Sequence, residues 1–151
     1  MPFAKMQKVI LDTNVIVSAL IQKGFPYLIL QELLLEQAIQ LCISEDLMSE
    51  YYEVLNRDKF ARFPDFKVKA DAILVYIAEK AVHYIPQEKI RKIKDESDNM
   101  LLELAIESGA NFLITGNTSD FTIKKYKRTK IVTPRDIGRT ISPIHLTADA
   151  E

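Results

Sequence analysis

The chain has no tryptophan, one cysteine, two histidines and four glycines in 151 residues, and each shortage removes a class of chemistry. Cys42 alone cannot form an intramolecular disulfide, and cysteine-based zinc sites need several thiolates at short spacing. Its setting, Leu41-Cys42-Ile43, reads as a buried structural thiol. Gly24, Gly109, Gly116 and Gly138 form no glycine-rich turn after a strand, which excludes a Rossmann nucleotide loop. Nor is there a Gly-x-Ser-x-Gly elbow for a serine hydrolase. A two-histidine acid–base nuclease would have to use His83, which reads as partly buried between Val82 and Tyr84, and His145 near the end of the chain. That fit is poor.

Charge of one sign is also missing. With 20 Lys and Arg against 21 Asp and Glu, no global positive field draws nucleic acid to the surface, so any such contact must be local. Two clusters qualify by sequence: Lys124, Lys125, Lys127, Arg128 and Lys130, read as gripping phosphates beside a cleft, and Arg57, Lys59 and Arg62. Taken singly, each reads more simply as a solvated face. No apolar run approaches the roughly 20 residues of a membrane span, and Met1 to Lys8 lacks the apolar core of a secretory signal. The expectation is a cytoplasmic protein with no membrane contact.

What is present is ordinary globular material, 48% hydrophobic and 27% charged, enough at this length for one domain. The spacing predicts strands at Lys8–Leu11, Gln40–Ile43, Asn111–Thr115 and Lys130–Thr133, with a short one conceivable at Tyr84-Ile85-Pro86. Helices are predicted over Val15–Ile21, Tyr27–Gln37 after a loop at Lys23-Gly24-Phe25-Pro26, and Ser44 to about Asn56. Others follow over Phe66–His83, from Asp95 to a stop at Gly109, and from Pro134. Alternating strands and helices of these lengths indicate an α/β fold: three layers, α/β/α, around a central, mostly parallel sheet.

Four acids stand beyond or inside elements that follow apolar, strand-like runs: Asp12, Glu50, Asp98 and Asp120. In an open parallel sheet, ligands bind outside the carboxyl ends of the strands, where residues distant in sequence meet. Carboxylates gathered there repel one another unless a cation intervenes or some take up a proton. Hard oxygen donors suit Mg²⁺ or Mn²⁺, and softer ligands are scarce. The reading that follows is a metal-dependent phosphodiester hydrolase. Asp12 by itself is as readily a turn former; the combination carries the argument. A haloacid-dehalogenase-like phosphatase would want a second Asp two residues on, where Asn14 stands.

Three stretches resemble the PIN-domain ribonucleases, which include the VapC-type toxins of toxin–antitoxin pairs. They are Val9-Ile10-Leu11-Asp12-Thr13-Asn14-Val15, Ser44-Glu45-Asp46-Leu47-Met48-Ser49-Glu50-Tyr51, and Asp95-Glu96-Ser97-Asp98 through Ala105 to Gly116. The resemblance runs from Val9 to about Pro134 and implies one PIN-like nuclease domain over residues 1–141, followed by a loosely held tail, Ser142 to Glu151. By position it implies Asp12, Glu50 and Asp98 as the first three catalytic acids. The fourth departs, because the family's Thr-Gly-Asp is here Thr115-Gly116-Asn117. Asn117 offers only a carbonyl oxygen, and Asp120, three residues later, is the candidate substitute. One fewer carboxylate points to a single firmly held Mg²⁺ or Mn²⁺, with a second arriving alongside substrate phosphate. Asn14 and Thr115 are implied to orient the carboxylates. Glu50 is implied either to hold the ion through water or to accept the nucleophile's proton.

The resemblance further implies an RNA substrate, an antitoxin partner and a homodimer or higher oligomer. Apolar positions around Tyr27, Leu30 and Leu34, or Tyr51 and Tyr52, are candidates for such contacts, although stripes of this kind usually belong to the core. Asn117 keeps a second class of function in view: a catalytically weak or inactive PIN-like scaffold that binds RNA or protein. Loss of Mn²⁺ binding on changing Asp12 and Asp98 separates the two.

Overall fold

A computed structural model describes residues 6–35, 39–90, 96–116 and 124–141. The sequence Gln7-Lys8-Val9-Ile10-Leu11 forms strand β1 (Gln7–Leu11), whose last three residues are buried. A strand covered on both faces needs an unbroken apolar run, which Val9-Ile10-Leu11 supplies. Helix α1 (Thr13–Ile21) and helix α2 (Phe25–Leu35) follow, meeting at 100°. The predicted loop at Phe25-Pro26 is instead the first turn of α2, where a proline's missing N–H costs nothing. The expected extension of α2 to Gln37 lies outside the described residues.

Strand β2 (Ile39–Ser44) runs into helix α3 (Glu45–Leu55), and the Ser44 hydroxyl accepts from the Leu47 amide at 3.2 Å, with Glu45 and Asp46 in the positive first turn. Helix α4 spans Phe66–Lys80 rather than reaching His83. Ala81 turns extended, and Val82–Tyr84 becomes edge strand β3, pairing Cys42 with Val82 and Ser44 with Tyr84. The Ile77-to-Ala81 spacing mimics another helical turn, but β-branched and aromatic residues beside a free sheet edge favour pairing. His83 is exposed there, its Nε2 3.2 Å from the Ala78 carbonyl oxygen.

Helix α5 (Glu96–Ser108) stops at Gly109, whose φ of +64° closes the helix with a bond from its N–H to the Ala105 carbonyl. Strand β4 (Phe112–Ile114) follows. The basic stretch then contributes a strand that the sequence pattern does not predict: β5 (Lys125–Tyr126) pairs antiparallel with β6 (Thr129–Val132). Helix α6 (Pro134–Ile141) begins on its proline, and the Thr133 hydroxyl accepts from the Asp136 amide at 3.2 Å. The tail from Ser142 lies outside the described residues.

The sheet order is β3-β2-β1-β4-β6-β5, parallel everywhere except at β5. This is the expected α/β architecture with a mostly parallel sheet. Strand order runs outward from β1 in one direction through β2 and β3, then returns to the other side at β4. With right-handed crossovers, α1 to α4 cover one face and α5 the other. The core between them includes Val9, Ile10, Leu41, Ile43, Leu101, Leu102 and Leu113, and Cys42 is fully buried among these residues, its thiol pushed up by burial. The direction of travel reverses between β1 and β4, so a crevice opens at their carboxyl ends.

Candidate active site

Asp12 is the residue on which β1 ends and α1 begins. Its N–H donates to the Ile114 carbonyl at 2.9 Å, extending the β1–β4 ladder, and its own carbonyl accepts from the Val15 amide at 2.9 Å. The carboxylate is thereby aimed into the crevice yet is only 8% exposed. Thr115, the first residue after β4, donates its hydroxyl to Asp12 Oδ2 at 2.8 Å, while its N–H is tied to the Val132 carbonyl at 2.9 Å. Adjacent strand ends thus supply an acid and the donor that fixes it.

Burial raises the Asp12 carboxyl above its ordinary 3.8, and the neighbouring Glu50 carboxylate pushes the same way. The Thr115 hydroxyl opposes the rise, as do the amides of Thr13 and Asn14 at the positive end of α1, although the side chain closes no capping hydrogen bond. Among the described residues no cation offsets it. Among the described residues the ion pairs are Arg57 with Glu53 and Lys67 with Asp71, both on the surface, and neither Asp12 nor Glu50 has a basic partner.

Glu50 comes from the second turn of α3, and its Oε2 accepts a hydrogen bond from the hydroxyl of Thr13, a buried residue at the start of α1. The next residue, Tyr51, is fully buried and donates its phenol to the Leu11 carbonyl at 2.6 Å. That bond fastens α3 to the end of β1, one residue before Asp12. Burial holds the Tyr51 phenol well above its usual range, with the Asp12 and Glu50 charges adding to the rise, so it stays a neutral donor. The apolar surface expected at Tyr51 and Leu30 is therefore interior; Leu34 and Tyr52 remain exposed. From inside, the Tyr51 hydroxyl reaches the strand-end carbonyl.

Asp98 is the third residue of α5 and is buried, as is Asn99 beside it. The far end of α5 lies at the start of β1, where Lys8 Nζ reaches the Ser108 carbonyl at 3.3 Å. The helix therefore runs antiparallel to the sheet, and its first turn sits at the carboxyl end with Asp12. There the helix dipole favours a carboxylate. Asp98 has interactions of its own, yet its Oδ2 is an enclosed oxygen that accepts no hydrogen bond among the described residues. Other acids of α5 are structural: Glu103 accepts from the Ile90 amide at 3.0 Å, and Glu107 from Gln87 at 3.1 Å.

The fold accordingly couples Asp12 with Glu50 and brings Asp98 to the same end of the sheet. Among the described residues no three histidine, cysteine or acidic side chains form a ready-made metal cluster. Asn117 and Asp120, the alternatives for a fourth ligand, lie outside the described residues. Asn14 is exposed and makes no side-chain hydrogen bond among the described residues, so the fixing of carboxylates falls to Thr115 and Thr13. Thr13 and Tyr51 are site residues that the sequence pattern does not single out. Their only mark in the sequence is a hydroxyl beside a candidate acid, and their partners stand 37 and 40 positions away.

The donor set fits a small divalent ion. Its oxygens are hard, and the Asp12 carboxylate carries a desolvation cost that a cation would relieve. Mg²⁺ needs only one or two protein carboxylates, with water and phosphate completing its shell. A preformed cage is not required.

Comparison with known proteins bears on the family and the fold. The sequence matches the PIN domain family over residues 8–119. No protein of curated function matches it significantly. Among solved structures, a chain of VapBC2 from Rickettsia felis, bound to a DNA fragment from its promoter, superposes with a TM-score of 0.56 at 20% identity. That match covers 83% of this chain and 98% of the other, and at such identity it speaks for the fold. With an acid closing β1, a second on α3 and a third in the first turn of α5, and with the family match spanning all three, the chain belongs to the PIN domain family.

Proposed function

We propose that the protein is a Mg²⁺- or Mn²⁺-dependent endoribonuclease that hydrolyses RNA phosphodiester bonds. The observation that carries the reading is the buried Asp12 carboxylate beside Glu50 at the strand-order reversal, with no basic partner among the described residues. Asp12 and Asp98 would hold the ion, with Asn117 or Asp120 as a further donor. A bound ion makes attacking water more acidic and stabilises the leaving oxygen.

The remaining steps belong to the chain. Thr115 and the Thr13 and Asn14 amides orient the Asp12 carboxylate, whose remaining lone pairs would be left for the ion. Thr13 occupies Glu50 Oε2, which leaves Oε1 to take the proton released as water attacks phosphorus. The products are a phosphomonoester and a free hydroxyl. Single-stranded or looped RNA suits the crevice because its backbone can bend into it.

The fold shared with the VapBC2 chain supports a toxin role, with an antitoxin partner and a homodimer or higher oligomer. A groove of about 610 Å³ between α1, α2 and α4, lined by the exposed Leu34, the half-buried Tyr27 and the buried Leu20, Leu30 and Ile73, offers apolar surface for such contacts. No single helix among the described residues is long and apolar enough to cross a membrane, which is compatible with a cytoplasmic site of action.

Calorimetric Mn²⁺ titration and cleavage of end-labelled RNA test the proposal, with Asp12→Asn and Asp98→Asn beside the parent. Binding and cleavage in the parent, lost in both variants, are expected. A parent that binds no Mn²⁺ and cleaves nothing would leave the RNA- or protein-binding scaffold as the function.

A further inference from the structure

Lys124, Lys125, Lys127, Arg128 and Lys130 crowd seven consecutive positions that contain no acid, in a chain whose net charge is −1. All five are exposed, while Tyr126 and Thr129 turn inward, so the hairpin shows solvent an almost purely cationic surface. Lys125 and Lys130 stand directly opposite each other on β5 and β6. Like charges so placed, with Cβ atoms about 5 Å apart, destabilise a strand pair. Lys127 in the turn adopts a left-handed backbone, with φ of +55°. Among the described residues, none of the five forms an ion pair. This surface repels itself and has no ion-pair partner among the described residues.

Its position narrows the expectation that the cluster lies beside the cleft: Lys124 stands level with Ile131, but the hairpin turn lies farther off. Phe112 pairs with Lys130 and Ile114 with Val132, and the Thr115 amide bonds the Val132 carbonyl. Thr115 therefore stands level with Thr133, and Arg128 lies five residues toward the amino ends of the strands, roughly 17 Å at about 3.3 Å per residue. One phosphodiester cannot touch both Asp12 and the hairpin turn. A strand of many phosphates can.

We propose that the β5–β6 hairpin is an exosite that grips the phosphate backbone of single-stranded RNA several nucleotides from the bond being cut. This deepens the nuclease reading and rests on it for the identity of the strand. Evenly charged, flexible RNA matches a narrow two-stranded ribbon of lysines running along the sheet edge, and it supplies the anions that the Lys125–Lys130 pair lacks. With no global positive field, such a local grip would set the affinity for long substrates.

The test is fluorescence anisotropy of a labelled RNA single strand with the full chain in EDTA, over a range of NaCl. It compares the parent with K125A/K127A/R128A/K130A and with the charge-preserving K125R/K127R/K130R. For single strands, log K falls with log salt by about 0.7 per phosphate neutralised. The alanine variant is expected to show a slope shallower by about 0.7 for each phosphate it no longer neutralises and a low-salt affinity weaker by about tenfold or more, whereas the arginine variant keeps both. In Mn²⁺ the alanine variant should cleave a dinucleotide as the parent does, with KM raised for the long strand alone. A folded alanine variant with unchanged slope, or a parent preferring duplex DNA of equal length, overturns the exosite. Because binding is read without metal, a parent that shows the slope but neither binds Mn²⁺ nor cleaves overturns the nuclease reading and upholds the hairpin.

Discussion

Thr115 donates its hydroxyl to Asp12 Oδ2 at 2.8 Å across 103 positions of sequence, joining the ends of the two strands between which the sheet reverses direction. The bond lowers the energy of the ionised form, against burial and the Glu50 charge. Replacing Thr115 with Val should leave a buried carboxylate short of a donor, at a cost of about 1–3 kcal/mol. The Asp12 carboxyl should rise further, moving Mn²⁺ binding to higher pH, while Thr115→Ser restores the parent profile. Calorimetry against pH reads this directly; an unshifted profile in the valine variant would show that the hydroxyl does not tune the acid.

Asp12 should also cost the metal-free protein stability. Its folded carboxyl titrates above the ordinary 3.8, so between that value and the raised one the folded state binds more protons than the unfolded. Stability therefore falls as pH rises through this window, and the penalty is complete above it. In chelator at neutral pH, Asp12→Asn is expected to melt higher than the parent, with the gap closing in acid. Saturating Mn²⁺ should reverse the order, since ligand binding stabilises only the protein that binds. Thermal melts at several pH values, with and without metal, measure both effects.

Tyr51 ties α3 to the Leu11 carbonyl at 2.6 Å from a fully buried position. Tyr51→Phe keeps the ring and removes the bond, so about 1 kcal/mol of stability should be lost in urea unfolding. Because the neighbouring residue is Glu50, cleavage should fall by more than the folded fraction does. Activity tracking the folded fraction alone would make Tyr51 a core residue with no bearing on Glu50.

At Gly109 a Cβ would meet no atom within 4 Å, but φ is +64°. Gly109→Ala should therefore cost about 1–2 kcal/mol through backbone strain alone, and Gly109→Asn less. Equal losses for the two would point to packing instead.

Much of the frame was legible because local signals are punctuated. Val9-Ile10-Leu11 ends at an acid, Ser44 precedes two acids, and Gly109 closes a helical stripe. The family motifs, read at Val9–Val15, at Ser44–Tyr51 and from Asp95 through Gly116, contain Asp12, Glu50 and Asp98, and all three acids lie within the matched region. Thr115 was legible as an orienting residue through the family motif, but the Thr13–Glu50 and Tyr51–Leu11 bonds were not, since they join positions 37 and 40 residues apart. Strand β5 is too short and too charged to show alternation, and its place comes from its partner. The end of α4 misled because Ile77 and Ala81 continue a helical period that the sheet edge overrides.

Cys42 lies in β2 with none of its surface open, and burial keeps its thiol protonated. Reagents that need a thiolate can reach it only when the centre of the sheet parts from its helices. The chain thus carries one built-in reporter of its own opening: the rate of alkylation counts excursions of the interior, and any ion or strand that clamps the crevice should slow the clock.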